Sequence, residues 1–255
     1  MKVNKIVLYP YKLGSAGGKL LADEMKIKRV YPDRNFIPKD GDVVINWGNG
    51  HKPKWDGPHF VFLNRPEAVC RAIDKVEAFY KFKAAGVSTP VWTTFKDWAA
   101  KWMAAGEMAV ARTELEGFDG FGIKLCRKVE ELPKNCKLFT KYIPISSEYR
   151  VYVFQDKIVD VLEKKRLDKD LADPFIRTEH NHWVFCQGPK WWPKDAESEA
   201  IGAIKALGLD FGGVDVVYNK EKDKSYVLEV NTAPGVYGKT MAKYHKVFLE
   251  YIQGL

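Results

Sequence analysis

Apolar positions in this chain come in short blocks separated by glycine, proline and aspartate, and the spacing inside each block assigns its element. Over residues 1–65 the pattern predicts a strand at Lys5–Tyr9 and a helix near Gly18–Met25. Short strands follow at Ile27–Tyr31, Asp42–Asn46 and Phe60–Leu63. Pro66 opens a helix running through Ala84, with proline in the first turn and Gly86 just past the end. After Pro90 the spacing predicts a strand at Val91–Phe95 and a helix at Asp97–Ala105. Closely spaced strands follow at Met108–Leu115, Phe121–Leu125, Leu138–Ile143, Tyr149–Phe154 and Lys157–Glu163, which points to antiparallel pairing. The polar stretch Asp168–His182 reads as an irregular, candidate active-site loop. A helix at Ala196–Leu207, a hairpin of Val214–Tyr218 with Ser225–Val230, and a helix at Gly238–Ile252 close the chain. The fold class is α/β, of the α+β kind, without internal repeats.

Composition narrows the function. A chain of 255 residues with 46% hydrophobic content can fill one large or two to three small cores. No apolar block approaches the ~20 residues needed to cross a bilayer. The apolar stretch in MKVNKIVLYPY stops at Pro10, too soon for a signal-peptide core. The expectation is therefore a cytoplasmic protein with no membrane partner. Cys70, Cys126, Cys136 and Cys186 form no C-x-x-C pair and read as reduced thiols. Lys and Arg exceed Asp and Glu by 41 − 33 = 8, which favours anionic partners: nucleotide phosphates, nucleic acid or an acidic substrate.

Two glycine motifs need separate weighing. Gly14–Leu21 (GSAGGKLL) has one residue too few before its Gly-Lys pair for a P-loop, and Leu20 stands where Ser or Thr would meet magnesium. It reads as a turn opening a helix. Gly117, Gly120 and Gly122 in GFDGFG lie between two strands, not between a strand and a helix. They form either a structural turn or a backbone cover over phosphates.

The strongest chemical signal is LGLDFGGVDVVYN…SYVLEVNTAPGV. Residues two apart in a strand share a face, so Glu229 and Asn231 point the same way. A hairpin closing symmetrically about Lys222 sets Asp215 directly opposite Glu229. Two carboxylates and an amide oxygen are few, hard donors that suit magnesium sharing its shell with phosphates. Solvated strand carboxylates are the alternative, but the flanking residues are apolar and make that costly. Gly235 follows in a turn and either lets the backbone approach a substrate or simply turns the chain. A basic group, Arg150 with Lys164, Lys165 and Arg166, occupies neighbouring predicted strands and faces a phosphate, or else forms a solvated strand end. The five histidines read as surface or loop residues. With eight tryptophans, Trp191–Trp192 among them, a module stacking nucleic-acid bases is the rival reading.

These pieces occur in an order that resembles the ATP-grasp superfamily, in particular its small RimK-type carboxylate–amine ligases. NRPEAVCRAIDKVEAFYKFKAAGVSTPVW, MAVARTELEGFDGFGI, KLFTKYIPISSEYRVYVFQDKIVDVLEKKR and GLDFGGVDVVYN…YVLEVNTAPGV carry the likeness over residues 64–240. The resemblance implies a pre-ATP-grasp α/β domain (1–65), a small lobe with a linking helix (66–145) and a large lobe with a metal site (146–255). ATP would lie between the lobes. Lys75 and Arg112 would contact its α/β-phosphates. Phe139, Thr140, Lys141, Tyr142 and Ile143 would meet adenine through their backbone, with Glu148 on the ribose. Arg150, Lys165 and Arg166 would hold the γ-phosphate and acyl phosphate. Asp215, Glu229 and Asn231 would bind two magnesium ions, or manganese, and Asn181 and Gly235 would lie on the substrate side.

The chain departs from the RimK-type pattern at three points. Arg112 replaces the usual lysine, Lys141 replaces an acidic hinge residue, and Asn181-His-Trp-Val-Phe lacks the usual Arg-Gly-Gly. The implied reaction is ATP-dependent amide formation through an acyl phosphate, releasing ADP and phosphate. Its partners would be a carboxylate donor and an amine from an amino acid or a peptide or protein terminus. A catalytically silent nucleotide-binding regulator is the further alternative.

Overall fold

The computed structural model describes residues 2–31, 36–55, 59–115 and 120–255. In the first sheet, β1 (Lys5–Pro10), β2 (Lys28–Arg29), β3 (Asp42–Trp47) and β4 (Val61–Leu63) run parallel in the order β2-β1-β3-β4. All six residues of β3 are buried, as a parallel strand covered on both faces requires. Helix α1 (Ala16–Glu24) starts at the Gly14–Leu21 motif, where Ser15 caps it by accepting a hydrogen bond from Gly18 N at 3.1 Å. The strand expected over Ile27–Tyr31 is reduced to the two residues of β2.

The helix expected over Pro66–Ala84 is two helices, α2 (Pro66–Ile73) and α3 (Lys75–Ala84). Asp74 separates them. It adopts extended backbone, and its carboxylate accepts from the Val76 and Glu77 amides at 2.9 and 3.1 Å, capping α3. Both helices pack in the core of the large sheet described below, through Ala68, Val69, Ala72 and Phe82.

A small antiparallel sheet joins β5 (Trp92–Thr93), β6 (Ala109–Arg112), β7 (Ile123–Cys126) and β8 (Leu138–Lys141) in the order β5-β8-β6-β7, backed by α4 (Lys96–Ala104). The large antiparallel sheet comprises β9 (Ser147–Phe154), β10 (Lys157–Arg166), β11 (Trp183–Gln187), β12 (Phe211–Asn219) and β13 (Lys224–Asn231) in the order β11-β10-β9-β12-β13. β11 was not expected from the sequence. One face of this sheet, with Val151, Val153, Val214 and Val216, packs on α5 (Asp195–Leu207). The other face meets α6 (Gly238–Gln253) and the first sheet through Tyr152, Phe154 and Phe211, with Trp47 stacked on Phe211 at 5.5 Å.

Asn64 ties the first sheet to the large one. It is fully buried, its Oδ1 accepts from the Asp210 and Phe211 amides at 2.8 and 3.1 Å, and its Nδ2 donates to Phe211 O at 3.0 Å. It holds a left-handed backbone at φ 55°, a region asparagine tolerates better than most residues.

Candidate active site

Alternation on the large sheet puts one set of polar side chains on the face not covered by α5. Arg150 on β9 pairs with Leu162 on β10 and with Asp215 on β12, and Asp215 pairs in turn with Glu229 on β13. Leu162, Arg150, Asp215 and Glu229 thus form one row across the sheet. The neighbouring row on one side brings Glu148 beside Val217. On the other side Tyr152, Gly213 and Asn231 line up. Together these rows floor a cleft of about 1090 Å³ whose opposite wall is the small sheet.

Arg150 forks onto Asp215, with Nε to Oδ1 at 2.7 Å and Nη2 to Oδ2 at 2.8 Å. Burial opposes the guanidinium charge, but the Asp215 carboxylate outweighs it and holds Arg150 well above its ordinary value. Glu229 is also penalised by burial. Lys75, Arg112 and Arg150 more than offset that penalty and keep its carboxyl below the usual carboxylate range. Lys75 reaches Glu229 because the break at Asp74 places it at the head of α3; its Nζ lies 3.5 Å from Glu229 Oε2 and donates to Leu115 O at 3.2 Å. Arg112 enters from the small sheet, only 9% exposed, and its buried Nε has no hydrogen-bond partner.

The donor set fits a hard dication. Among the described residues no three His, Cys, Asp or Glu side chains form a metal-binding group. An ion here would take the Asp215 and Glu229 carboxylates and the Asn231 amide, and complete its shell with phosphate or water oxygens. Asn231 Nδ2 makes only long contacts, 3.4 Å to Gly213 O and to Asp215 Oδ2.

One end of the cleft is built by residues 140–143 and by the polar segment after β10. The amides of Lys141 and Tyr142 already donate to Val91 O and Met108 O at 2.7 and 2.9 Å. Ile143 N makes no such bond among the described residues. Phe139 is buried in the small-sheet core and Thr140 beside it. Lys141, the departure from an acidic hinge, pairs with Glu107 at 3.3 Å. Glu148 is buried, which pushes its carboxyl up, while Lys164 opposes that shift through a 2.8 Å ion pair.

Arg177 was missed in the sequence because it sits in a stretch without periodicity. It lines the cleft, donates from Nη2 to Ile145 O at 2.8 Å and lies over the Trp183 ring at 4.4 Å. Gly120 approaches the same segment: a Cβ on it would come within 2.5 Å of the Thr178 methyl, and its φ is 80°. Gly122 is equally confined, since a Cβ there would meet Glu114 backbone at 2.9 Å. Gly117 lies outside the described residues.

Three expected residues are placed elsewhere. Lys165 pairs in register with Val184, on the opposite face from Arg150, and is exposed with an ion pair to Glu163 at 3.1 Å. The alternation of β10 makes Lys164, not Lys165, the lysine beside Glu148. Arg166 shares the Lys164 face but is exposed at the strand end, 5.3 Å from the Trp183 ring. Asn181 turns into its own loop and donates to Ile176 O at 2.8 Å. Gly235, by contrast, lines the cleft, where Tyr152 donates to its carbonyl at 2.6 Å. Burial pushes Tyr152 up to about 12, which keeps that donor protonated. Trp191, the candidate for an exposed nucleic-acid contact, is 57% exposed, and its ring packs edge-on against Tyr218 at 5.3 Å. Among the described residues no helix is long and apolar enough to cross a membrane.

No family model matches the chain. Curated relatives do. A probable alpha-L-glutamate ligase 1 of Shewanella frigidimarina is 26% identical over 218 residues, covering 79% of this chain and 69% of the relative. A probable alpha-L-glutamate ligase of Aeromonas salmonicida is 24% identical over 217 residues, covering 79% and 70%. Among solved structures, the ATP-grasp ligase PsnB complexed with minimal precursor superposes with a TM-score of 0.70 at 12% identity, covering 97% of this chain and 99% of that one. D-alanyl-alanine synthetase A of Vibrio cholerae superposes with a TM-score of 0.65 at 13% identity, covering 100% and 99%. The shared architecture shows that this chain has the fold of the ATP-grasp ligases, and its sequence is similar to those of probable alpha-L-glutamate ligases.

Proposed function

We propose that this chain is an ADP-forming carboxylate–amine ligase that joins its substrates through an acyl phosphate. The observation that carries the reading is the row Arg150–Asp215–Glu229 on the cleft floor, with Lys75 at 3.5 Å and the partnerless Arg112 Nε facing it from the other wall. Such a site concentrates positive charge around two acidic donors, which suits a metal-chelated triphosphate.

Lys75 and Arg112 hold the inner phosphates, and Arg150, with Lys164 beside it, holds the γ-phosphate. Ile143 N and Tyr142 O bracket the base, Glu148 accepts from the ribose, and Arg177 closes that end. Asp215, Glu229 and Asn231 would hold magnesium, with two ions expected, and the metal would supply positive charge beside the phosphates. A substrate carboxylate attacks the γ-phosphorus and ADP departs. An amine then attacks the acyl carbon, phosphate leaves with the C–O bond electrons, and the proton lost by the amine passes to the departing phosphate or to solvent. No side-chain nucleophile is needed. The residues hold the reacting groups in line and offset their charge. The relatives named as glutamate ligases and the PsnB complex with a precursor peptide favour an amino acid or a peptide as substrate.

The test is magnesium-dependent ADP release by Asp215→Asn and Glu229→Gln. Each is expected to lose about 10²-fold or more, the scale of removing one preorganised electrostatic group, with an unchanged circular dichroism spectrum. Wild-type turnover in a folded Glu229→Gln variant overturns the reading.

A further inference from the structure

Strand β11 presents Trp183-Val184-Phe185 at the edge of the large sheet. Its register sets Phe185 opposite Lys164 and Trp183 opposite Arg166. Alternation then turns both rings toward the cleft face and Val184 away from it.

Phe185 meets two cations at once. The Arg150 guanidinium lies 4.3 Å from its ring centroid and the Lys164 ammonium 4.9 Å. Each cation also has a carboxylate on another side: Asp215 for Arg150 and Glu148 for Lys164. Two like charges therefore share one ring at the edge of the phosphate site. A ring attracts cations through its quadrupole but carries no net charge. It can hold the pair in place without competing with a phosphate for them, as a further carboxylate would.

We propose that Phe185 is a positioning residue for phosphoryl transfer: it keeps Arg150 and Lys164 side by side so that both can engage the γ-phosphate. This rests on the nucleotide reading of the cleft. The ring also packs on the apolar cluster that contains Leu162 and Tyr152, so a purely packing role is the competing explanation. A leucine preserves apolar packing and removes the quadrupole; a tyrosine keeps the ring.

The experiment compares magnesium-dependent binding of the non-hydrolysable ATP analogue AMP-PNP and of ADP to wild type, Phe185→Leu and Phe185→Tyr by titration calorimetry. Thermal midpoints are recorded for all three. Phe185→Leu is expected to weaken AMP-PNP binding by about tenfold while leaving ADP within about twofold, because the cation–π contact acts at the γ-phosphate end. Phe185→Tyr should bind both nucleotides as wild type does. In an Arg150→Lys background the Phe185→Leu loss should shrink, since the two act through one another. Unchanged AMP-PNP binding by Phe185→Leu overturns the proposal. So does an equal loss for both nucleotides accompanied by a lowered midpoint, which marks packing alone. Binding of neither nucleotide by wild type overturns the nucleotide reading and this proposal with it.

Discussion

Asp215 faces Glu229 only because Leu228 is an extra residue in β13. From the turn outward the hairpin pairs Asn219 with Lys224, Val217 with Tyr226 and Val216 with Val227. Continued at that register, Asp215 would meet Leu228, and Glu229 would stand opposite Val214 on the core face. A bulge between Asp215 and Val216 shifts the pairing by one, so Glu229 opposes Asp215 and Asn231 opposes Gly213. One inserted residue thus decides whether the second carboxylate reaches the cleft.

The Arg150–Asp215 pair is mostly buried, with side-chain exposures of 18% and 8%. Asp215→Ala leaves the guanidinium uncompensated and is expected to lower the unfolding free energy by about 3 kcal/mol. The double variant Arg150→Met/Asp215→Leu should recover most of that stability while remaining inactive. Urea titrations of the three proteins check it, and an Asp215→Ala variant as stable as wild type contradicts the paired geometry.

Glu229 also sets a pH dependence. Its carboxyl is held below its unfolded value near 4.5, so its contribution to stability is complete above that value and is lost as pH falls through the folded one. The thermal midpoint of the nucleotide-free protein should therefore drop more steeply below about pH 4.5 in wild type than in Glu229→Gln. Parallel curves for the two proteins would show that the cations do not stabilise this carboxylate.

The hairpin and the shared face of its polar residues are legible because strand alternation places Glu229 and Asn231 together whatever the fold around them. Symmetry about Lys222 gave the right pairing at Asp215 although the turn itself is offset by one residue; the bulge cancels that offset. The break at Asp74 was hidden because apolar periodicity continues through it, although Asp74 with Glu77 carries a helix-start signal. β11 was missed because WVFCQ is short and lies between a polar loop and Gly188-Pro189. With it went the aromatic wall beneath Arg150 and Lys164. The register of β10, which the sequence alone does not give, puts Lys164 rather than Lys165 on the face that carries Arg150.

Arg112, where the RimK pattern has lysine, has a buried Nε without a hydrogen-bond partner. Arg112→Lys removes that unsatisfied donor and keeps the charge. The nucleotide-free variant is expected to be more stable by about 1 kcal/mol while binding magnesium-ATP within about tenfold of wild type. Chemical denaturation and calorimetry read the two effects separately, and a less stable variant contradicts the unsatisfied-donor account.

Gly120 approaches Thr178 so closely that a methyl group cannot fit without movement. Gly120→Ala combines that clash with a φ of 80° and should cost about 1–3 kcal/mol. Thr178→Ser removes the offending methyl, so the double variant should recover the clash component but not the backbone strain. Additive effects in the double-mutant cycle would show that the two segments do not touch in solution.

The central claim is tested most directly by ADP release from magnesium-ATP in the presence of amino acids, short peptides and acidic peptides, with product masses recorded. The account predicts acceptor-dependent ADP release matched by a condensation product of the two substrates minus water. Failure to bind magnesium-ATP at all, in a folded protein whose Asp215 and Glu229 are intact, would contradict it.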